Sequence, residues 1–257
     1  MTTLMHLLFL TQRQLRALLR QPWYIAFTIV QPVIWLVLYG QLFQRVVELP
    51  GFHGESYISF LTPGVIIMTA LFSGGWNGMG TIVEIERGVM DRFLVSPASR
   101  VALIGGRLAA LAVVSIVQSV LLIALGLLLG ARLGGGALGV ATLLAGGVLL
   151  AVPFGALSNA LALTVRKQES VIGASNFLLL PLTFLSPVYM AKDLMPGWIR
   201  TVTRFNPVTW SVDAAREALK PQADWAAVLA RIACLVLFAL ASAALATRAF
   251  RTYQRSL

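Results

Sequence analysis

The side chains of this chain that could act as acids, bases or metal ligands are ten Asp or Glu residues and two histidines. All twelve lie outside six uncharged stretches, which are residues 21–44, 56–83, 108–131, 133–165, 170–191 and 232–247. Proton- and ion-coupled carriers usually place carboxylates or histidines inside the membrane, where they exchange protons or bind cations. The distribution argues against a proton relay, although sodium bound by backbone carbonyls stays open.

Sequence motifs for hydrolysis and nucleotide binding are also missing. The sequence has no H-E-x-x-H, no G-x-S-x-G and no G-x-x-x-x-G-K-[ST], and His6 and His53 are far apart. We therefore predict that the chain is not an enzyme and binds no metal or cofactor. If a nucleotide drives its activity, the ATPase must be another chain.

A charged segment at residues 84–97 is the first remaining candidate for a functional site. Glu84, Arg87 and Asp91 follow helical spacing, with an apolar patch beside them, and Ser96-Pro97 ends the pattern. This predicts a short amphipathic helix between two membrane spans. Acidic residues beside arginines suit a protein groove better than anionic lipid, but a helix lying on the lipid surface stays an alternative.

An aromatic segment at residues 194–209 is the second candidate. Trp198, Val202 and Phe205 recur at i, i+4 and i+7, and Asn206-Pro207 breaks the pattern before a second helical turn at residues 208–219. We expect a short amphipathic helical hairpin at the outer surface. It would either cap the end of a central path or anchor the chain in lipid headgroups.

The elements that must position these segments are membrane spans. Hydrophobic residues make up 58% of the chain and charged residues 12%, against about 25% charged in soluble domains. A span needs roughly 20 apolar residues. We predict one all-α domain over residues 1–257, with six spans at residues 21–44, 58–83, 104–131, 137–165, 170–190 and 225–247. The last span requires Arg231 to extend its side chain to the interface, and Cys234 within it is expected to be a buried small hydrophobe.

The N-terminal residues 1–20 read as an amphipathic interfacial helix, with leucines on one side and arginines between them. An even number of spans places both termini together. With the termini inside, twelve Lys or Arg residues are cytoplasmic and seven are external, with Arg231 at the boundary. The positive-inside rule therefore favours cytoplasmic termini. Arginines next to helix ends indicate contact with anionic membrane lipid, not nucleic acid.

Small and aromatic residues within the predicted spans have two interpretations. In the first, the glycines at 74, 75, 78, 80, 146 and 147 let helices approach closely. In the second, the glycines near Ser73 make part of a substrate path flexible. Six aromatic and amide side chains could line that path, although such residues also serve helix packing. They are Phe72, Trp76, Asn77, Asn176, Phe177 and Phe184.

The two candidate segments together give the chain its resemblance to a known family. Residues 84–97 fit the pattern E-x-E-R-G-x-x-[DE]-R-[FL]-L-V-[ST]-P, and residues 194–209 fit L-x-P-x-W followed by N-P-x-[TY]. In this order, and with six predicted spans, the chain resembles the permease subunits of type-2 ABC exporters. That family includes daunorubicin-type drug exporters, nodulation-factor exporters and polysaccharide exporters.

The resemblance implies partners and residue roles. Two permease subunits, as a homodimer or heterodimer, would each dock on an ABC ATPase subunit that holds ATP and Mg. Docking would use the coupling helix, whose residues are Glu84, Glu86, Arg87, Gly88, Asp91, Arg92, Phe93 and Pro97. An external gate would contain Leu194, Pro196, Trp198, Phe205, Asn206 and Pro207.

The function that the resemblance implies is ATP-driven export across a bacterial plasma membrane. An amphiphilic drug or lipid-like cargo is favoured, because only 9% of the residues are aromatic and a polysaccharide channel should have more. A polysaccharide or glycolipid exporter permease is the alternative. A stand-alone membrane carrier or membrane enzyme is a further alternative from another class.

Overall fold

The computed structural model describes residues 3–48, 56–89 and 100–255, and within these ranges the chain is helical with no β-strand. The prediction of an all-α fold is confirmed. Short 3-10 helices lie at Gln44–Glu48 and Lys192–Leu194. The α-helices are α1 (Thr3–Leu19), α2 (Pro22–Leu42), α3 (Tyr57–Gly75), α4 (Gly78–Glu86), α5 (Arg100–Leu128), α6 (Gly136–Val165), α7 (Gln168–Phe184), α8 (Gly197–Thr203), α9 (Pro207–Ala218) and α10 (Trp225–Arg255).

Four helical segments in the described part of the chain are long and apolar enough to cross a membrane: Tyr57–Glu86, Ile104–Leu128, Gly136–Val165 and Trp225–Arg248. They correspond to the second, third, fourth and sixth predicted spans. Helix α2 contributes a shorter apolar portion, Thr28–Leu42. Helix α7 ends at Phe184 after 17 residues, not at residue 190 as predicted. The count of six spans stays a prediction.

Helix α3 forms the centre of the bundle. Leu61, Val65, Ile67 and Leu71 are fully buried, and α2, α5, α6, α7 and α9 all contact this helix. A helix that is apolar on every side can be covered by protein or by lipid. Five neighbouring helices cover α3, so its residues lie inside the bundle.

The second predicted span is not one continuous helix. Helix α3 ends at Gly75 and α4 begins at Gly78, with Trp76 and Asn77 in a turn between them. Ser158 of α6 bridges the turn, since its Oγ accepts a hydrogen bond from the Gly78 N–H at 3.0 Å and donates one to the Gly75 carbonyl at 2.5 Å. In hydrocarbon each unsatisfied backbone group costs several kcal/mol, so these side-chain bonds make the interruption tolerable.

Glycines bring α3 and α4 against the backbone of α6. A Cβ atom at Gly74 would lie 2.4 Å from the Ala151 carbonyl oxygen, and one at Gly78 would lie 2.2 Å from the Ser158 carbonyl oxygen. The packing interpretation is confirmed at these positions. At Gly80, by contrast, an added Cβ would meet nothing within 4 Å.

Helices α8 and α9 lie in the segment for which a helical hairpin is predicted, and we call this pair the hairpin. Asn206 caps α9 by accepting a hydrogen bond from the Val208 N–H at 2.9 Å. Its amide donates to the carbonyls of Leu182 and Leu185 at 2.7 and 2.8 Å. Asn206 therefore bonds both to the start of α9 and to the end of α7, and it attaches the hairpin to α7. Helix α9 lies buried between α3, α6 and α10.

Cys234 is exposed, so the prediction of a buried cysteine is wrong. Helix α10 contacts α6 and α9 with one face, which carries the buried residues Val228, Leu235 and Ala246. Cys234 lies off that face. A uniformly apolar helix sequence does not reveal which side meets the protein and which meets lipid.

Candidate functional site

A cluster of buried polar side chains lies where α4, α5 and α6 meet. At its centre is Arg107 of α5, whose side chain is 9% exposed and donates to Glu84 and Thr81 of α4. The guanidinium also donates to Asn159 Oδ1 of α6 at 3.4 Å, and Asn159 Nδ2 donates to Asn77 Oδ1 at 2.8 Å. We call Asn77, Thr81, Glu84, Arg107 and Asn159 the polar junction.

Helix α1 joins the polar junction through Glu84. Gln14 Nε2 donates to Glu84 Oε1 at 3.2 Å, and Arg13 Nη2 lies 3.9 Å from the same oxygen. The Glu84 side chain is only 16% exposed. The carboxylate therefore connects α1, α4 and α5 inside the protein, and any role in docking a partner would act through these contacts.

Ion pairing explains how the junction tolerates charge in an apolar bundle. Removing charges from water costs several kcal/mol per ion, which is offset only by good geometry and additional hydrogen bonds. Arg107 has a carboxylate, a hydroxyl and an amide oxygen as acceptors. Charged groups kept inside membrane proteins are usually functional, so the junction is a candidate site.

Sequence reasoning missed Arg107 and Asn159 as site residues. Arg107 directly precedes the uncharged stretch 108–131, so its sequence position alone groups it with the cytoplasmic loop charges. Asn159 is a single amide within a long apolar segment. The signal that could have identified them is an arginine at the start of one apolar helix together with amides in two others, since buried polar groups require partners.

The candidate coupling segment begins at the polar junction. Helix α4 ends at Glu86, and Arg87 and Gly88 form a turn in which Gly88 has a φ of 64°. Glu86 and Arg87 are exposed, in contrast to Glu84. The other predicted coupling residues, Asp91, Arg92, Phe93 and Pro97, lie outside the described residues.

A cavity of about 440 Å³ opens beside the polar junction, between α1, α2, α3–α4 and α5. Gln14, Glu84 and Arg107 line this junction cavity, together with the uncharged polar residues Thr28, Ser73, Asn77 and Gln118. The other lining residues are mainly aliphatic, including Val113 and Val117 of α5. Such a space suits a ligand with a polar head and an apolar body.

A second cavity of about 280 Å³ lies between α2, α3 and α7. We call it the aromatic cavity. Thr28 and Ser73 line both cavities, so the two spaces adjoin at these residues. Its aromatic lining residues are Trp35, Phe72, Trp76, Phe184 and Tyr189.

The structure brings together four of the six predicted path residues. Phe72, Trp76, Asn176 and Phe184 line the aromatic cavity, and the rings of Phe72 and Trp76 meet edge to face with centroids 5.4 Å apart. Asn77 lines the junction cavity instead. Phe177 lines neither cavity and is 84% exposed.

The predicted external gate residues do not form one cluster. Trp198 and Phe205 are 66% and 78% exposed, so their apolar face is not covered by the described residues. Asn206 and Pro207 form the buried start of α9, while Leu194 and Pro196 lie before α8. Both the capping and the lipid-anchor interpretations of the exposed face stay open.

Arg216 of α9 fixes the hairpin to the bundle. Its guanidinium donates to the Phe60, Pro187 and Val188 carbonyls at 2.6 to 3.2 Å and lies 3.5 Å from the centroid of the Phe60 ring. Burial lowers the pKa of Arg216 to about 9, although nearby Asp213 opposes the change. The side chain is therefore still cationic at neutral pH.

Replacing Arg216 by lysine is expected to loosen the hairpin. An ammonium group cannot reach three carbonyls in the planar geometry of a guanidinium, and each charged hydrogen bond contributes about 1.5–3 kcal/mol. We expect the free energy of unfolding to fall by about 2–4 kcal/mol, measured by thermal unfolding of the purified protein in detergent. Arg204→Lys, at an exposed position on the same hairpin, is the control. Equal stability of the two variants would contradict this role of Arg216.

No group of three or more His, Cys, Asp or Glu residues in the described part of the chain could hold a metal ion. The arrangement offers a mainly apolar cavity beside a cluster of bonded polar side chains that joins α1, α4, α5 and α6.

Comparison with known proteins identifies relatives over most of the chain. Residues 5–220 match the family described as ABC-2 type transporter. The chain is 30% identical over 195 residues to the daunorubicin resistance ABC transporter permease protein DrrB1 of Streptomyces coeruleorubidus, covering 74% of this chain and 66% of that protein. It is 24% identical over 193 residues to the inner membrane transport permease YadH of Escherichia coli K12, covering 74% of each chain.

Proposed function

Because the chain belongs to the ABC-2 type transporter family, we propose that it is the transmembrane subunit of an ATP-driven exporter of amphiphilic drugs or lipid-like molecules. The observation that supports this proposal is the polar junction. Through Glu84 it connects the start of the coupling segment to Gln14 and Arg107, which line the junction cavity. ATP and Mg are held by a separate ATPase subunit. The permease itself supplies the path.

Coupling is proposed to run through α4. Glu86 and Arg87 are exposed at the end of this helix, where a partner can contact them. Glu84, two residues before Glu86 in the same helix, is bonded to Arg107 of α5 and Gln14 of α1. A displacement of the coupling segment would therefore move three helices that line the junction cavity.

Co-purification tests the proposed function. The permease should bring down an ATPase chain carrying the phosphate-binding loop that this sequence lacks, and the pair should transport in vesicles only with ATP. The double charge reversal Glu86→Lys/Arg92→Glu should abolish stimulation of the ATPase by substrate while the permease keeps its fold. Full ATPase stimulation and transport in that variant would rule out this coupling role. Absence of any ATPase partner would favour a stand-alone carrier.

A small amphiphile is the cargo that the two cavities favour. Pockets of about 300–1,000 Å³ accommodate drug-sized ligands. The junction cavity, at about 440 Å³, lies in the lower part of that range, and the aromatic cavity, at about 280 Å³, lies just below it. The relative named for daunorubicin resistance supports a drug-like cargo.

Replacing Trp76 by alanine is expected to impair transport of aromatic substrates at least fivefold. Trp76 lies at the interruption between α3 and α4 and lines the aromatic cavity, where stacking on a planar substrate contributes about 0.5–1.5 kcal/mol beyond burial of its surface. The measurement is ATP-driven uptake of a fluorescent polycyclic drug into inverted vesicles. Phe177→Ala is the control, because Phe177 lines neither cavity. Equal transport by both variants would remove the aromatic cavity from the path.

We further propose that the exposed face of Trp198, Val202 and Phe205 caps the outer end of the path in a permease dimer. The exposure of these side chains in one chain leaves them available to a second copy. Trp198→Ala/Phe205→Ala should raise leak or lower transport while dimer yield stays normal. If transport is unchanged in that variant, the face is a lipid anchor.

The proposed setting is a bacterial inner membrane, with six spans, an interfacial α1 and cytoplasmic termini. The charge count of twelve against seven supports this orientation. A cysteine added after Leu257 should resist an impermeant thiol reagent in intact cells, while one at Gly51 should react. The reverse labelling pattern would invert the topology.

A further inference from the structure

We propose that the aromatic cavity is a binding site for an organic cation, namely a compound that joins an aromatic ring to a quaternary ammonium group. The proposal names the charge of the cargo and in that respect rests on the proposed function. Binding itself is testable on the permease alone. The supporting observations are the ring faces, the hydroxyl oxygens and the uncharged lining of the cavity.

Five aromatic side chains from three segments line this space of about 280 Å³. Trp35 comes from α2. Phe72 and Trp76 come from the end of α3, and Phe184 and Tyr189 come from the end of α7 and the segment after it. The rings therefore surround the cavity on more than one side. The face of a ring carries partial negative charge and attracts a cation, and cages of such rings bind quaternary ammonium groups.

The hydroxyl groups in the lining offer acceptors to a ligand. Thr69 and Thr183 each donate to the carbonyl four residues earlier in their own helix, at 2.8 Å. Ser73 donates to an amide oxygen of α5 at 2.9 Å, and the Tyr189 hydroxyl donates to the sulfur of Met68 at 2.7 Å. A hydroxyl has one hydrogen and two lone pairs. These four groups have already used their hydrogens, so only oxygen lone pairs are left for a ligand.

The cavity has no fixed charge that would repel a cation. Its lining residues in the described part of the chain include no Asp, Glu, Lys, Arg or His. Arg216 bonds to the backbone beside Tyr189, but it does not line the cavity, and three carbonyls and the Phe60 ring offset its charge. A bound cation would therefore meet ring faces and oxygen atoms.

A cation gains more from this lining than a neutral molecule of the same shape. Both would bury the same apolar surface, but only the cation is attracted by the ring faces. An anion would be repelled by the ring faces and by the oxygen lone pairs. The amides of Gln31 and Asn176 present N–H groups as well as oxygens, so they do not select a charge by themselves. Selection therefore depends on the rings and the hydroxyl oxygens.

A matched pair of probes tests the charge of the ligand. Benzyltrimethylammonium and neopentylbenzene have the same shape, because a carbon atom in the second replaces the charged nitrogen of the first. Each carries a ring azide for photolabelling of the permease alone in maltoside detergent, and labelling that excess unlabelled compound removes is counted as specific. Affinities refer to the free concentration of each probe, since the neutral one enters micelles more readily.

We expect specific labelling of α2, α3 and α7 peptides by the cation, with an affinity at least fivefold higher than that of the neutral probe. The rings and hydroxyl oxygens that attract the cation lie on these helices and on the segment after α7. Equal or tighter specific labelling by the neutral probe would overturn the proposal. So would the lack of any specific labelling by the cation.

Replacing Trp76 separates attraction of the charge from loss of apolar surface. The preference for the cation over the neutral probe should decrease from wild type to Trp76→Phe and again to Trp76→Leu, at least threefold in total, because Trp attracts a cation best. Trp225→Leu is the control. Trp225 is 40% exposed, close to the 37% of Trp76, but lines neither cavity. If Trp76→Leu weakens both probes by the same factor, the ring supplies surface alone and the cation site is wrong.

Transport with the ATPase partner distinguishes failure of the site from failure of the export function. Binding of the cation without ATP-driven uptake would support the site and count against the export function. Uptake of other drugs by a permease that does not bind the cation would overturn the site and leave the export function intact. Uptake of the cation in preference to the neutral probe would support both.

Discussion

Replacing Glu84 by leucine is expected to lower the free energy of unfolding by about 3 kcal/mol and to reduce ATP-driven transport at least tenfold. Removing one partner of a buried ion pair costs 3–5 kcal/mol, because the remaining charge is left uncompensated. Here the remaining charge is Arg107, whose side chain is 9% exposed. Thermal unfolding in detergent and transport by vesicles containing the ATPase partner are the two measurements.

The double variant Glu84→Leu/Arg107→Leu separates stability from coupling. Replacing both charges with apolar side chains should restore stability to within about 1 kcal/mol of wild type, since no unpaired charge remains. Transport should stay low, because the connection between α1, α4 and α5 is still missing. Glu169→Leu is the control at an exposed carboxylate. Recovery of full transport in the double variant would show that the junction serves folding alone.

Replacing Gly78 by alanine is expected to prevent correct assembly of the bundle. The new Cβ would lie 2.2 Å from the Ser158 carbonyl oxygen, and neither backbone can move without separating α4 from α6. The displacement would also break the hydrogen bond from the Gly78 N–H to Ser158 Oγ. We expect a loss of 3 kcal/mol or more, at the upper end for an overpacked core, seen as loss of monodisperse protein in gel filtration.

Gly80→Ala provides a matched control on the same helix. No atom lies within 4 Å of a Cβ at Gly80, so the methyl group meets open space. Alanine favours helix by about 1 kcal/mol over glycine, so this variant should be as stable as wild type or slightly more stable. If Gly78→Ala behaves like Gly80→Ala, the close contact between α4 and α6 does not hold the bundle together.

Long apolar runs predicted the main helices well. Helices α5, α6 and α10 coincide with uncharged stretches that are longer than one leaflet of a bilayer is thick. A chain in hydrocarbon must satisfy its backbone hydrogen bonds internally, so such stretches form helices. The early end of α7 at Phe184 was missed, although Ser186-Pro187 follows it and the residue before a proline disfavours helix.

Features that depend on distant contacts were not predictable. The interruption at Trp76 and Asn77 is stabilised by Ser158, some 80 residues later in the chain. The position of Glu84 inside the protein depends on Arg107 and Gln14, which come from two other helices. Local spacing assigned Glu84 to an exposed helix face, and only the folded arrangement shows what the carboxylate contacts.

The buried position of α9 has a consequence for the order in which the protein assembles. This helix has 12 residues and carries Asp213, Arg216 and Glu217, so it is too short to cross the bilayer and too polar to enter it alone. Its surroundings come from α3, α6 and α10, and Asp213 lies 3.8 Å from Arg231 of α10. The complete environment of α9 therefore exists only once α10, which follows it in the chain, has been inserted.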